Sequence, residues 1–113
     1  MSSAPLPIEI DCPSVKAKLD AGESFLLLDC RNPDEYAKVS IAAAKLLPMN
    51  EIPARLAELE AHKQANIVVH CHHGGRSLRV AEWLRGQGFD QAQSMAGGID
   101  RWAIEIEPGM RRY

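Results

Sequence analysis

The chain of 113 residues carries no excess of positive charge: 13 Lys plus Arg stand against 15 Asp plus Glu, a formal net charge of -2. A nucleic-acid or anionic-membrane binder normally shows a basic excess, so neither partner is expected. Long apolar runs are missing too. The longest, Phe25–Leu28 and Ile41–Ala44, are four residues each, far short of the roughly 20 needed to span a bilayer. No cationic side chain precedes Lys16 and no long apolar segment opens the chain, so a secretory leader is not expected. Paired cysteines are absent as well. Cys12, Cys30 and Cys71 are odd in number, widely spaced and form no CxxC, so neither a disulfide framework nor a zinc ribbon is indicated. Three free thiols suit a reducing compartment, and a cytoplasmic location is the expectation. Internal repeats, low-complexity tracts and linker-like stretches are also lacking.

What is present is an ordinary globular composition, 46% apolar and 25% charged. At this length one domain over residues 1–113 is expected, with a flexible start at residues 1–6 and an extended tail at 108–113. Short apolar segments alternate with helical patterns, the signature of a parallel sheet with crossover helices. Strands are expected at Ile8–Ile10, Phe25–Leu28, Leu46-Leu47, Ile67–Val69 and Ala92–Met95. Helices are expected after Asp11-Cys12-Pro13, from Asp34, from about Ser77 and around Ile99 and Trp102. Asn50 is read as the cap of a further helix in which Ile52, Leu56 and Leu59 recur at helical spacing.

After the Ile67–Val69 strand the character changes abruptly to His70-Cys71-His72-His73-Gly74-Gly75-Arg76-Ser77. In an open parallel sheet, reactive groups sit where strand carboxyl ends meet helix N-termini, and Cys71 falls there. Adjacent glycines permit a tight turn whose N–H groups point inward, an anion cradle at a helix start. An ordinary cysteine with a pKa near 8.5 is only about 3% thiolate at neutral pH. Helix N-terminal amides and Arg76 would depress that value, and a two-unit shift makes thiolate the major form. Cys71 is therefore the candidate nucleophile. Cys30 follows a core strand and reads as packing, with a redox or resolving role as the lesser alternative, and Cys12 as a helix-start or surface residue. Four consecutive potential ligands, His70 to His73, are poor geometry for a tetrahedral metal, because His70 points away from Cys71 across the strand. No metal is expected, and His72 and His73 are placed at the rim of the pocket.

Three motifs in order resemble the rhodanese family of sulfurtransferases. Cys71-His72-His73-Gly74-Gly75-Arg76-Ser77 matches its Cys-x-x-Gly-x-Arg loop. Leu27 to Tyr36, reading LLDCRNPDEY, resembles its LDVRxPxEY segment, and Met95-Ala96-Gly97-Gly98-Ile99 with Trp102 resembles its xGGxxxW signature. One departure stands out: where the family has Gly-His-Ile-Pro-Gly-Ala, this chain has Val39-Ser40-Ile41-Ala42-Ala43-Ala44.

The resemblance implies an α/β domain with a five-stranded parallel sheet, helices on both faces, and transfer of sulfane sulfur. A donor such as thiosulfate would load Cys71 as a persulfide, and a thiol, cyanide or a protein acceptor would take the sulfur in a ping-pong cycle. The covalent persulfide is the only intermediate carrier, with no cofactor. The backbone amides of His72, His73, Gly74, Gly75, Arg76 and Ser77 would line the cradle. Arg76 would face the donor or pair with a carboxylate such as Glu35. Asp29 and Arg31 would brace the site, and Arg79 is a candidate for a cationic rim. Two other readings differ in class: a sulfur-relay or regulatory protein-binding module, and a cysteine phosphatase. The phosphatases use His-Cys-x5-Arg, and this chain has one residue fewer before Arg76, a cradle suited to one sulfur atom.

Overall fold

The structure is a computed structural model and describes residues 6–113. The flexible start expected at residues 1–6 lies outside the described residues except for Leu6, whose carbonyl oxygen accepts from Arg85 Nη2 at 2.6 Å. Five strands, β1 (Glu9–Ile10), β2 (Leu26–Asp29), β3 (Lys45–Leu46), β4 (Ile67–His70) and β5 (Ala92–Met95), form one parallel sheet in the order β1-β5-β4-β2-β3. Three α-helices, α1 (Cys12–Asp20), α2 (Pro33–Lys38) and α3 (Gly75–Gly86), lie between strands, and a fourth, α4 (Gly98–Glu105), follows β5.

The apolar runs explain the centre of the sheet. Strands β2 and β4 lie side by side with Leu28 opposite Val69 and Asp29 opposite His70, and helices cover both faces, so successive residues must all be buried. Leu28, Cys30, Ile67, Val69 and Cys71 face one core, where α3 contributes Val80, Ala81 and Leu84. Leu27 and Val68 face the other, with Cys12 and Val15 from α1 and Ile99 and Trp102 from α4. Each fully buried Leu, Val or Ile contributes about 1.5–3 kcal/mol of transfer free energy. These two clusters are therefore what seats α3 and α4 on opposite faces of the sheet.

Local signals set the helix ends. Asp11 caps α1 by accepting from Ser14 N at 2.8 Å, and Gly22, at φ 68°, takes the left-handed conformation that ends it.

One element differs from the sequence expectation. Residues 49–62 do not form an Asn50-capped α-helix; they make two 3-10 stretches, Met49–Glu51 and Leu56–His62. The backbone closes mainly i→i−3 bonds, such as Ile52 N on Met49 O and Glu58 N on Arg55 O, and a turn at 52–55 separates the two stretches. Ile52 and Leu59 are nevertheless buried against α3. The apolar spacing predicted burial correctly and hydrogen bonding incorrectly.

Candidate active site

Cys71 directly follows β4, and its sulfur lies at the floor of the loop that leads into α3. The Gly74 N–H donates to Sγ at 3.1 Å and the Ser77 N–H at 3.4 Å. Ser77 Oγ lies 3.4 Å from the same sulfur and 2.7 Å from Ser94 Oγ on β5. Of the six amides expected to line the cradle, these two reach the sulfur; those of His72, His73, Gly75 and Arg76 form no hydrogen bond to it. The residue is only 1% exposed. A reaction partner must therefore insert an atom into the loop rather than meet a protruding thiol.

The loop can take this shape because of two glycines in different motifs. Gly74 adopts φ 111° at the cap of α3, where a side chain would also crowd Gly97 N. Gly98, at φ 59°, packs so closely beneath the loop that a Cβ would stand 2.6 Å from the Cys71 carbonyl oxygen. That approach lets the first amides of α4 hold the loop from below: Ile99 N donates to Cys71 O at 2.9 Å and Asp100 N to His72 O at 3.1 Å. In a trans peptide the N–H points opposite to the C=O. Fastening those two carbonyls to α4 thus turns the amides of His72 and His73 away from it.

The electrostatics favour thiolate. The Cys30 thiol beside it, just past the end of β2, is the largest influence lowering the Cys71 pKa, to about 4; the hydroxyl and amide of Ser77 and the amide of Gly74 act the same way, and burial opposes them. The neighbouring Cys71 sulfur and burial push the Cys30 thiol far up, so of the two Cys30 stays protonated and Cys71 is the anion. Cys30 is therefore more than the packing residue its place after β2 suggested. Cys12, on the opposite face, is raised to about 11, chiefly by burial.

Supporting residues surround this centre. Arg76 pairs with Glu35 through two hydrogen bonds, Nη1 to Oε1 at 2.7 Å and Nη2 to Oε2 at 2.9 Å, so of the two roles considered for Arg76 it takes the structural one. Glu35 is pulled down to about 2, first by Arg76. Asp29 and Arg31 are fully buried and joined by three side-chain hydrogen bonds, the shortest 2.6 Å. Arg31 also donates to the carbonyls of Glu35 and Val39 and to Tyr113 Oη, clamping the stretch after β2. The His70 side chain leaves β4 on the face opposite the Cys71 side chain, with Nε2 3.7 Å from Asp29 Oδ2 and Nδ1 3.3 Å from the Cys71 carbonyl oxygen. Among the described residues no group of three or more His, Cys, Asp or Glu side chains is arranged to hold a metal. His73 reaches the rim and is exposed, 3.9 Å from Asp100 Oδ2. His72 is sandwiched between His73 and Tyr113, with the tyrosine ring stacked at 3.9 Å. Arg79, offered as part of a cationic rim, instead lines a shallow apolar depression with Met49, Ile52, Pro53, Val80 and Trp83.

A rhodanese-like domain model matches residues 12–105 of the chain. This chain belongs to the rhodanese-like domain family. A sulfurtransferase of Allochromatium vinosum is 38% identical over 95 residues, covering 84% of this chain and 87% of that one. The maize adenylyltransferase and sulfurtransferase MOCS3-1 is 32% identical over 96% of this chain, which spans only 24% of that longer protein. The crystal structure of a rhodanese-like domain protein from Staphylococcus aureus superposes with a TM-score of 0.78 at 30% identity, covering 93% of this chain and 97% of the other.

Within this rhodanese-like domain, the departure at Val39–Ala44 leaves the fold intact. Ile41 and Ala44, the two residues shared with the family pattern, are the buried ones. The turn between them closes with Ala44 N on Ile41 O at 2.9 Å, and no residue other than glycine needs a positive φ among those described. Sequence reasoning missed Ser94 and Tyr113. The residues after α4 turn at 108–110 and bring Tyr113 Oη to within 2.8 Å of Glu35 Oε2. Ser94 had one available signal, its place with Gln93 as polar residues in a strand that is buried throughout. Tyr113 had none, since nothing local announces a contact with a residue so far away in the chain.

Proposed function

We propose that this rhodanese-like domain is a sulfurtransferase that moves sulfane sulfur through Cys71. The observation that carries the reading is the Cys71 sulfur beneath the Gly74 and Ser77 amides at 3.1 and 3.4 Å, in a loop whose thiol pKa is lowered to about 4. The Cys71 thiolate attacks the outer sulfur of a donor such as thiosulfate. A sulfur–sulfur bond forms at Cys71 as the donor's own breaks, and sulfite leaves with the electron pair. The persulfide's terminal sulfur then carries the negative charge, and the loop amides stabilise it without reorganising. A thiolate or cyanide attacks that terminal sulfur, forms the new bond, and returns Cys71 as thiolate. No cofactor enters the cycle.

A protein acceptor is the second reading, and the relatives supply the specific support. The maize MOCS3-1 protein carries sulfurtransferase in its name, and this chain matches only a quarter-length portion of it, as expected if such domains also work beside others. The phosphatase reading has less support: only four residues separate Cys71 from Arg76, and Arg76 is engaged by Glu35 rather than turned toward a phosphate.

Incubation with thiosulfate followed by intact-mass and peptide analysis tests the proposal. The expected result is a gain of one sulfur on the Cys71 peptide, discharged by cyanide and absent in Cys71→Ser. An unchanged Cys71 mass with thiosulfate and with other persulfide donors would overturn it. Release of phosphate from an aryl phosphate, dependent on Cys71, would do the same.

A further inference from the structure

Cys30 is the nucleophilic group that this cycle leaves unused. Its position is set by the sheet. Asp29 of β2 stands opposite His70 of β4, and the Cys30 N–H continues the ladder with a bond to His70 O at 3.0 Å. Cys30 and Cys71 are thus the next opposed pair, one residue past the last registered one. Neighbouring strands run about 4.8 Å apart, inside the Cα separations of roughly 4.4–6.8 Å that a disulfide spans. Both side chains point to the same face, sharing a core with Leu28 and Val69, and both residues are 1% exposed. Cys12 belongs to the core on the other face of the sheet, so it cannot compete.

We propose that Cys30 and Cys71 form a dithiol redox site in which Cys30 resolves a hydroperoxide-oxidised Cys71 as an intramolecular disulfide. In the first step the Cys71 thiolate attacks hydrogen peroxide. The oxygen–oxygen bond breaks, a sulfur–oxygen bond forms, and hydroxide leaves, giving the sulfenic acid; sulfur is oxidised by two electrons and the peroxide reduced. In the second step the Cys30 sulfur attacks the sulfenic sulfur. The sulfur–sulfur bond forms, the sulfenic oxygen departs with the Cys30 proton as water, and no further oxidant is consumed. A dithiol reductant reopens the bond by exchange and restores both thiols.

The burial of the pair decides which oxidants qualify. Hydrogen peroxide is small enough to enter the loop. The chemical gain is protection. A sulfenic acid with no neighbouring thiol proceeds to sulfinic acid, which ordinary thiols do not reverse. The placement of the two side chains side by side across β2 and β4 and in one core, present before any oxidation, holds the resolving group beside the reacting atom. Neither step requires a sulfur donor, so the site operates whether or not the chain transfers sulfur.

The experiment treats the full chain with a small excess of hydrogen peroxide, enough for two successive oxidations of one thiol, alkylates remaining thiols, and maps peptides with and without dithiothreitol. The expected result is loss of two hydrogens, a cross-linked Cys30–Cys71 peptide, alkylated Cys12, and full recovery after dithiothreitol. In Cys30→Ala and Cys30→Ser, Cys71 instead gains two oxygens that dithiothreitol does not remove. The wild-type map stands alone should either variant fold poorly. A wild type that accumulates sulfinic Cys71 as readily as the variants, or whose disulfide joins two chains, overturns the proposal. Thiosulfate loading, scored separately on untreated protein, reports on sulfur transfer alone, so the two proposals fail independently.

Discussion

The Arg76 guanidinium on α3 meets the Glu35 carboxylate on α2 face to face, with paired hydrogen bonds of 2.7 and 2.9 Å. Glu35 Oε1 accepts in addition from Asn32 N, and Oε2 from Tyr113 Oη. One carboxylate thus ties together the thiol loop, the stretch after β2 and the last residue of the chain. The cationic residue of the Cys-x-x-Gly-x-Arg pattern serves here as a fastening.

Glu35→Gln is expected to destabilise the protein by about 1–3 kcal/mol, the range for hydrogen bonds to charged groups, discounted because Arg76 is partly solvated. The pH dependence has a definite sign. A folded-state carboxyl held at about 2, against an unfolded value near 4.3, contributes stability that is complete above the unfolded value and lost as pH falls toward 2. Urea unfolding of wild type and Glu35→Gln at a series of pH values checks this: the gap between them should be widest at neutral pH and close on acidification.

Ser77→Ala is expected to raise the Cys71 pKa from about 4, since an O–H donor to the thiolate is removed. Alkylation rate against pH measures it. In wild type the rate should be flat across neutral pH, and in the variant its midpoint should move upward. Ser94 Oγ, buried and 2.7 Å from Ser77 Oγ, loses its partner, so a stability loss of about 1–3 kcal/mol should accompany the shift.

Gly98→Ala and Gly75→Ala should behave oppositely although both lie beside the loop. At Gly98 the backbone has φ 59° and the new Cβ would stand 2.6 Å from Cys71 O. Left-handed strain and a backbone clash together should cost more than about 2 kcal/mol and disturb Cys71 alkylation. A Cβ at Gly75 meets nothing within 4 Å and needs no positive φ, so its stability should change by less than about 0.5 kcal/mol. Thermal unfolding of the two variants checks the contrast.

How much of this was legible in the sequence depended on how local the cause was. Strand β5 was expected at Ala92–Met95 and is found there, because its apolar bounds and the following glycines are adjacent in the chain. Strand β2 was offset by one residue: Asp29, read as lying past the apolar run, is its final member. The loop, its glycines and two of the six expected inward amides, those of Gly74 and Ser77, were readable for the same local reason. The protonated partner of Cys71 was not. Cys30 looked like core packing because the sheet order that places β2 beside β4 is a property of the whole fold. Segment 49–62 failed for a different reason: spacing reports which side chains are buried, and not whether the backbone closes i→i−3 or i→i−4 hydrogen bonds.

The seating of α4 under the loop has a reach beyond its own segment. A peptide plane has two poles, and pinning the oxygen pole of residues 71 and 72 to Ile99 and Asp100 decides where the hydrogen pole looks. The helix that touches no reactant therefore sets the polarity of the basin above it. Reprogramming what that basin accepts would begin with the Gly97-Gly98 hinge, whose edits would rotate the loop's dipoles while leaving every reactive side chain in the sequence unchanged.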